Sequence, residues 1–243
     1  MPENASLLVV QHQDNCTPAL FADWLVARRL TLDVRRPYAG DALPADVGGH
    51  AGLLVLGGAM GAHDDATHPW LTPTKALVRQ ATDAGAPVLA ICLGHQLAAV
   101  AFGGTSTPNP RGQTAGVREI GWREEAGDDP LCRALRSDIG AVVAHWNSDV
   151  VTELPTGATV LATTDDGFPQ VMRLGRQTWG VQFHPEVDHA VLSVWADDDR
   201  DRTVSDGPDV DEALQEVKEE ESQLHATGRR VAEAFADVVL GRR

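Results

Sequence analysis

The sequence predicts an α/β fold, a doubly wound, mostly parallel sheet of the flavodoxin-like kind with a partly antiparallel extension. Three observations predict it. Short apolar runs alternate with longer stretches of helical periodicity over the first hundred residues, the pattern of strand–helix–strand units in a parallel sheet. Two of those runs stop abruptly at glycine or cysteine, where chain turns at the C-terminal edge of such a sheet belong. From about Gly116 to Phe183 the signal changes to closely spaced short strands, which suits an antiparallel addition to the same sheet.

Taken in order, Ser6–Val10 reads as a first buried strand, with Gln11-His12-Gln13-Asp14 as its loop. Pro18–Leu30 places Leu20, Trp24, Leu25 and Ala27 near helical spacing, and Leu32–Arg35 reads as a weak second strand. Gly52–Leu56 is a third, ending in Gly57-Gly58-Ala59-Met60-Gly61. Leu71–Ala84 reads as a helix with Leu71, Ala76, Leu77 and Ala81 on one face and Gly85-Ala86-Pro87 as its stop. The apolar run into Cys92 follows, then a helix to Gly103-Gly104. The short strands are Val117–Trp122, Ala141–His145, Thr159–Ala162, Gln170–Leu174 and Thr178–Phe183. Asp197-Asp198-Asp199 through Gly207-Pro208 is acidic and turn-rich, which predicts a mobile loop. Val210, Leu214, Val217, Leu224, Val231, Phe235 and Val238 then recur at helical intervals, an amphipathic helix interrupted around Gly228. The expected organisation is one domain over 1–195, an acidic loop over 196–209, and a C-terminal helix over 210–243 packed on the same domain.

Composition narrows the functional classes. The chain has 243 residues, 43% of them hydrophobic, enough for one large domain and its core. Its net charge of −15 argues against a nucleic-acid or anionic-membrane surface. Cys16, Cys92 and Cys132 form no CxxC pair and no even framework, which suits a reducing compartment and thiol chemistry. The start, Met1-Pro2-Glu3-Asn4, lacks the basic segment of a signal peptide, and no apolar run reaches membrane-span length. A cytoplasmic protein is the expectation.

The chemistry centres on Pro87-Val88-Leu89-Ala90-Ile91-Cys92-Leu93-Gly94-His95-Gln96. An apolar strand that meets a single cysteine and turns at once into a helix predicts a strained turn with the thiol at its apex. At a helix N-terminus, the macrodipole and free N–H groups favour the thiolate, the reactive species. A nucleophilic cysteine needs a base, and the base needs an orienting acceptor. Among nine histidines the best candidate is His184, in Trp179-Gly180-Val181-Gln182-Phe183-His184-Pro185-Glu186. It follows an alternating strand, and Glu186 is close enough in sequence to fix its tautomer. Either motif alone has a plain structural reading, a buried hydrophobic thiol or a histidine in a turn. His63, His68, His95 and His189 lack metal-ligand spacing, so no metal and no cofactor is expected. Asp64-Asp65 reads as a solvated turn, the Glu219-Glu220-Glu221 run as a wet helix face, and Cys16 and Cys132 as structural.

Taken together, Ile91-Cys92-Leu93-Gly94-His95-Gln96, Val181-Gln182-Phe183-His184-Pro185-Glu186 and Gly57-Gly58-Ala59-Met60-Gly61-Ala62 resemble the class I, triad-type glutamine amidotransferases over most of residues 6–190. The nearest likeness is to free-standing members related to the glutaminase domain of GMP synthase. The resemblance implies that Cys92 attacks the glutamine side-chain amide and that His184 shuttles the proton while Glu186 orients it. It also implies an oxyanion hole from the backbone N–H groups of Gly58 and Leu93, and a substrate contact by Gln96. The chain departs from the family pattern at Ala59, where a proline is usual. Asn147 and Ser148 stand where relatives carry His-Gly before aspartate, in a segment that binds the substrate's α-amino and carboxylate groups. Thr114 replaces a common glutamate. The implied activity is glutamine hydrolysis through a γ-glutamyl thioester, with ammonia delivered to a separate synthase or transferase partner. The alternatives are a γ-glutamyl peptidase or hydrolase acting on a conjugate and, behind both, a non-catalytic regulatory subunit. Intracellular proteases and chaperones with a related sheet place histidine directly after the elbow cysteine, where this chain has Leu93.

Overall fold

The computed structural model describes residues 4–136, 141–200 and 209–242. The chain opens with β1 (Ala5–Val10), α1 (Leu20–Ala27), β2 (Leu30–Arg35), β3 (Gly52–Val55), α2 (Leu71–Asp83), β4 (Val88–Ile91) and α3 (Leu93–Ala101). Leu7 and Val9 of β1 join Phe21 and Leu25 of α1 in one core cluster. Leu8 and Val10, pointing the other way, join Leu77 and Val78 of α2 in a second. A sheet covered on both faces needs uninterrupted apolar strands, which is why these runs lack the alternation of a half-exposed strand. Leu30, read from the sequence as the end of the first helix, starts β2 instead.

The middle of the chain supplies β5 (Thr105–Pro108), β6 (Thr114–Glu119), β7 (Gly121–Trp122), α4 (Arg133–Arg136), β8 (Val142–Asn147), β9 (Asp149–Glu153), β10 (Thr159–Thr163), β11 (Pro169–Leu174) and β12 (Thr178–Val181). The central sheet runs in the order β2-β1-β3-β4-β12-β11-β10-β7. Its β2-to-β12 part is parallel, and the β11, β10 and β7 additions are antiparallel. The doubly wound sheet with an antiparallel extension is therefore the observed fold.

One expectation is corrected here. Val117–Trp122 is not one strand of the central sheet, and Ala141–His145 does not enter that sheet at all. β6 and β8 pair with each other in a separate two-stranded sheet, as do β5 and β9, and only Gly121–Trp122 reaches the main sheet as β7. Ala115, Ala144 and Trp146 of this small sheet are buried against Leu192, Trp195 and Val217. Strand pattern reports burial and does not name the pairing partner, which packing decides.

The C-terminal part also differs from the reading. Asp197, Asp198 and Asp199 lie within α5 (His189–Arg200) rather than in a loop, while 201–208 fall outside the described residues. The amphipathic stretch is two helices, α6 (Val210–Glu219) and α7 (Glu221–Val239), and the break is at Glu220. Asp209 caps α6 by accepting from the Asp211 and Glu212 N–H groups. Gly228 sits inside α7, where a Cβ would overlap the Pro185 carbonyl oxygen. That glycine marks a close approach to the His-Pro-Glu turn, not an interruption. No helix among the described residues is long and apolar enough to cross a membrane.

Candidate active site

β4 and β12 are parallel neighbours with Ile91 opposite Val181. The residues that follow each strand therefore emerge side by side at the C-terminal edge, which brings together motifs far apart in sequence. The Cys92 N–H donates to Val181 O at 2.8 Å, and the chain then turns sharply, with Cys92 at φ 51° and ψ −105°. This left-handed conformation is costly for a residue with a side chain, and it presents the thiol at the start of α3. Gly94 makes the turn possible, since a Cβ there would stand 2.5 Å from Val55 O. The expected thiol-bearing turn is present as a backbone geometry.

His184 is fixed from several sides. Its N–H donates to Ala144 O of β8 at 2.8 Å, and its Nδ1 lies 2.8 Å from Glu186 Oε1. Both side chains are almost fully buried. The Trp195 ring of α5 meets the imidazole edge-on at a centroid distance of 4.8 Å. His184 and Cys92 flank Gly57: a Cβ placed there would lie 3.0 Å from His184 Cε1 and 3.6 Å from Cys92 Cβ. Burial alone would lower the His184 pKa, but the Glu186 carboxylate and the Cys92 sulfur, in hydrogen-bonding reach, outweigh it and raise it to about 10. Two neighbours, Glu186 and Cys92, thus favour the protonated form of the ring against the effect of burial.

Among the described residues, neither the Gly58 nor the Leu93 N–H donates to a backbone carbonyl. Both adjoin Cys92, Leu93 in sequence and Gly58 through the shared crevice. The next amide of the glycine loop, Ala59 N–H, donates to Gln13 Oε1 at 2.8 Å. Where proline is usual in relatives, this chain therefore holds the loop with a side-chain acceptor that Ala59 can meet and proline could not. Asp64-Asp65 is more than a solvated turn: Asp64 accepts from the Gly61 N–H at 2.7 Å, and Asp65 pairs with Lys75 at 2.6 Å.

The sequence-predicted substrate residues reach the same crevice, which is lined by Gln96, Asn147 and Ser148 together with Cys92 and His184. Gln96 donates from Nε2 to Asp149 O at 3.0 Å and to Gln182 Oε1 at 3.3 Å. Asn147 donates to Asp149 O at 3.0 Å and lies 3.3 Å from His145 Nδ1. Ser148 is exposed at the rim and accepts from the Asn109 N–H at 2.8 Å.

Several lining residues carried no sequence signal: Gln13, Asn15, Trp195, Asp198 and Asp199. Asp199 accepts from Trp146 Nε1 at 2.7 Å and Gln113 Nε2 at 3.0 Å, and Asp198 from Asn15 Nδ2 at 2.8 Å. Reading the acidic run as a loop hid them; a helical turn continued from His189 would have placed them. Cys16, expected to be structural, is buried but also lines the crevice, and burial with the nearby Cys92 pushes its thiol well above the ordinary range. Cys132 lies in the main core.

The family model for class-I glutamine amidotransferases matches residues 20–193. A GMP synthase of Porphyromonas gingivalis is 32% identical over 173 residues, 68% of this chain and 31% of that protein. The glutamine amidotransferase-like protein YfeJ of Salmonella typhimurium is 29% identical over 73% of this chain and 74% of its own length. Against the GMP synthase of Clostridium novyi, the matching segment covers only 22% of that relative. Among solved structures, a glutamine amidotransferase from Thermotoga maritima superposes with a TM-score of 0.83 at 22% identity, covering 96% of this chain and 99% of that one. One from Methylobacillus flagellatus gives 0.83 at 23%, covering 96% and 94%. These structures share the fold. With a family match over most of its length, and a thiol turn and a buried His–Glu pair at the matching motifs, the chain belongs to the class I glutamine amidotransferase family.

Proposed function

We propose that the protein hydrolyses the side-chain amide of glutamine through a γ-glutamyl thioester on Cys92 and passes the ammonia to a separate synthase or transferase chain. The observation that carries this reading is the buried His184–Glu186 pair set against Cys92 across Gly57. The attacking species in this reaction is the Cys92 thiolate, with His184 protonated beside it. The sulfur attacks the amide carbon, and the oxyanion receives the Gly58 and Leu93 N–H groups; such donors supply several kcal/mol of transition-state stabilisation. Collapse breaks the C–N bond as the His184 proton passes to the leaving nitrogen, releasing ammonia. Neutral His184 then takes a proton from water, whose oxygen attacks the thioester carbon. The C–S pair returns to sulfur, and glutamate leaves. Glu186 holds the ring orientation and offsets the imidazolium charge throughout.

Gln96 fits a substrate-contacting role, because both its N–H bonds are committed to protein oxygens and its own oxygen is left to accept from a substrate N–H. The crevice lining contains Asp149, Asp198 and Asp199 and, among the described residues, no lysine or arginine. That charge favours the α-ammonium end of a γ-glutamyl compound. Ammonia release from glutamine by the purified chain tests the proposal. Activity that disappears in Cys92→Ala supports it; turnover undiminished in that variant refutes it.

A second reading is a γ-glutamyl peptidase or hydrolase, for which the chemistry is the same and the leaving amine is larger. It is favoured by Asn147, whose side chain is tied to Asp149 O and beside His145 rather than free for the substrate. Comparing γ-glutamyl amides with free glutamine separates the two, and a strong preference for glutamine removes the peptidase.

A further inference from the structure

Gln182 is the residue between the end of β12 and the His-Pro-Glu turn, and its side chain enters none of the roles above. Its backbone N–H donates to Gln170 O at 2.9 Å, which holds the residue in the extended line of the strand. The residue is only 1% exposed, so each of its amide groups needs a partner. Nε2 lies 3.7 Å from Cys92 Sγ, within N–H···S range, and Oε1 accepts from Gln96 Nε2 at 3.3 Å. Gln96 in turn gives its other N–H to the Asp149 carbonyl at 3.0 Å. That pattern settles the orientation of both amides. A carbonyl can only accept, so Gln96 must point its nitrogen at Asp149 O; Gln182 must then offer its oxygen to Gln96 and its nitrogen to the sulfur.

We propose that Gln182 is a further catalytic residue of this site, a neutral N–H donor to the Cys92 sulfur that is held in place by Gln96. The inference rests on the reading of Cys92 as the nucleophile. Cys92 is only 5% exposed, so a sulfur anion there would have little water around it, and a fixed protein donor matters more than it would at the surface. His184 cannot serve alone. It gives up its proton to the departing nitrogen and must recover one from water before the thioester is cleared. When the C–S bond breaks in that second half-reaction, the electron pair returns to sulfur. The Gln182 amide neither gains nor loses a proton in either half, so its donor faces the sulfur whatever the state of the imidazole.

The test reads the sulfur directly. Alkylation of Cys92 by iodoacetamide is followed against pH by peptide mass spectrometry, which keeps Cys16 and Cys132 separate. Gln182→Met removes the donor at similar volume, and Gln182→Glu puts a carboxylate in its place. The pH midpoint of Cys92 alkylation is expected to rise by about one unit in Gln182→Met, a roughly tenfold smaller thiolate fraction below the midpoint. The rise should be larger in Gln182→Glu and smaller but of the same sign in Gln96→Met. Midpoints unchanged in Gln182→Met and Gln96→Met, with native circular dichroism, would overturn the proposal. The unsubstituted protein gives a check that needs no change at 182. The Gln182 side-chain amide resonances should move through the Cys92 titration and stay still in Cys92→Ala; resonances that stay flat in the parent overturn the proposal equally. Because alkylation needs no glutamine, a chain that releases no ammonia yet shows these shifts would refute the glutaminase reading while leaving the amide–sulfur contact standing.

Discussion

At the scale of single residues, the site depends on a proton held where it would not ordinarily stay. His184 is buried, which disfavours its charge, yet the Glu186 carboxylate beside Nδ1 and the Cys92 sulfur reverse that and raise its pKa to about 10. Glu186→Gln keeps the shape and removes the largest attraction. The expected result is a fall in kcat on the order of a hundredfold with little change in KM, since the pair orients the base rather than binding substrate. The imidazolium should also titrate at lower pH by NMR. A variant with parent kcat would show that Glu186 does not support the base. These residues were legible because each sits inside a local motif whose chemistry depends on neighbours in sequence. Asp199, Asp198 and Trp195 were not, because their roles exist only once α5 packs across β8 and the crevice. Gln182 was in view within the second motif, but only the register of β12 beside β4 turns its amide toward the sulfur.

At the scale of elements, the site is assembled by two turns, each made possible by a glycine next to a backbone oxygen. Gly94 lets α3 start against β3, and Gly228 lets α7 lie against the Pro185 carbonyl. The sequence marks Gly228 as a weak point in a helix, and the structure makes it the contact that supports the His184–Glu186 turn. Gly228→Ala raises helix propensity, by roughly 1 kcal/mol on an isolated helix. Here the added methyl has no space, so the expected net effect is destabilisation of about 1–3 kcal/mol in urea unfolding, with lower activity than the stability loss explains. A more stable, fully active Gly228→Ala would show that α7 does not seat on the turn. The small sheets, by contrast, were unreadable in advance. β6 and β8 have ordinary strand composition, and their pairing is set by the helices packed over Ala115, Ala144 and Trp146.

At the scale of the whole molecule, the doubly wound sheet was legible in the alternation of apolar runs and helices, and it explains why residues 92 and 184 meet. The same burial leaves His12, His95 and His145 enclosed in the fold, with desolvation lowering their pKa values to about 3, 4 and 4. A histidine near 6.5 when unfolded and lower when folded contributes stability that is present above 6.5 and lost as pH falls toward the folded value. Unfolding at pH 5 therefore takes up protons at these sites. The expected outcome is a urea midpoint that falls steeply between pH 7 and pH 4.5, beyond what the carboxylates titrating at lower pH account for. A midpoint flat across that range would contradict the enclosed, neutral state of these rings.

The account stands on a sulfur made nucleophilic by its neighbours, and a diazoketone analogue of glutamine tests it most directly. Intact-mass and peptide analysis after exposure should find one adduct per chain, on Cys92, formed more slowly when free glutamine is present and absent from Cys92→Ala. An unlabelled protein, or label carried by Cys16 or Cys132 with Cys92 untouched, would contradict it.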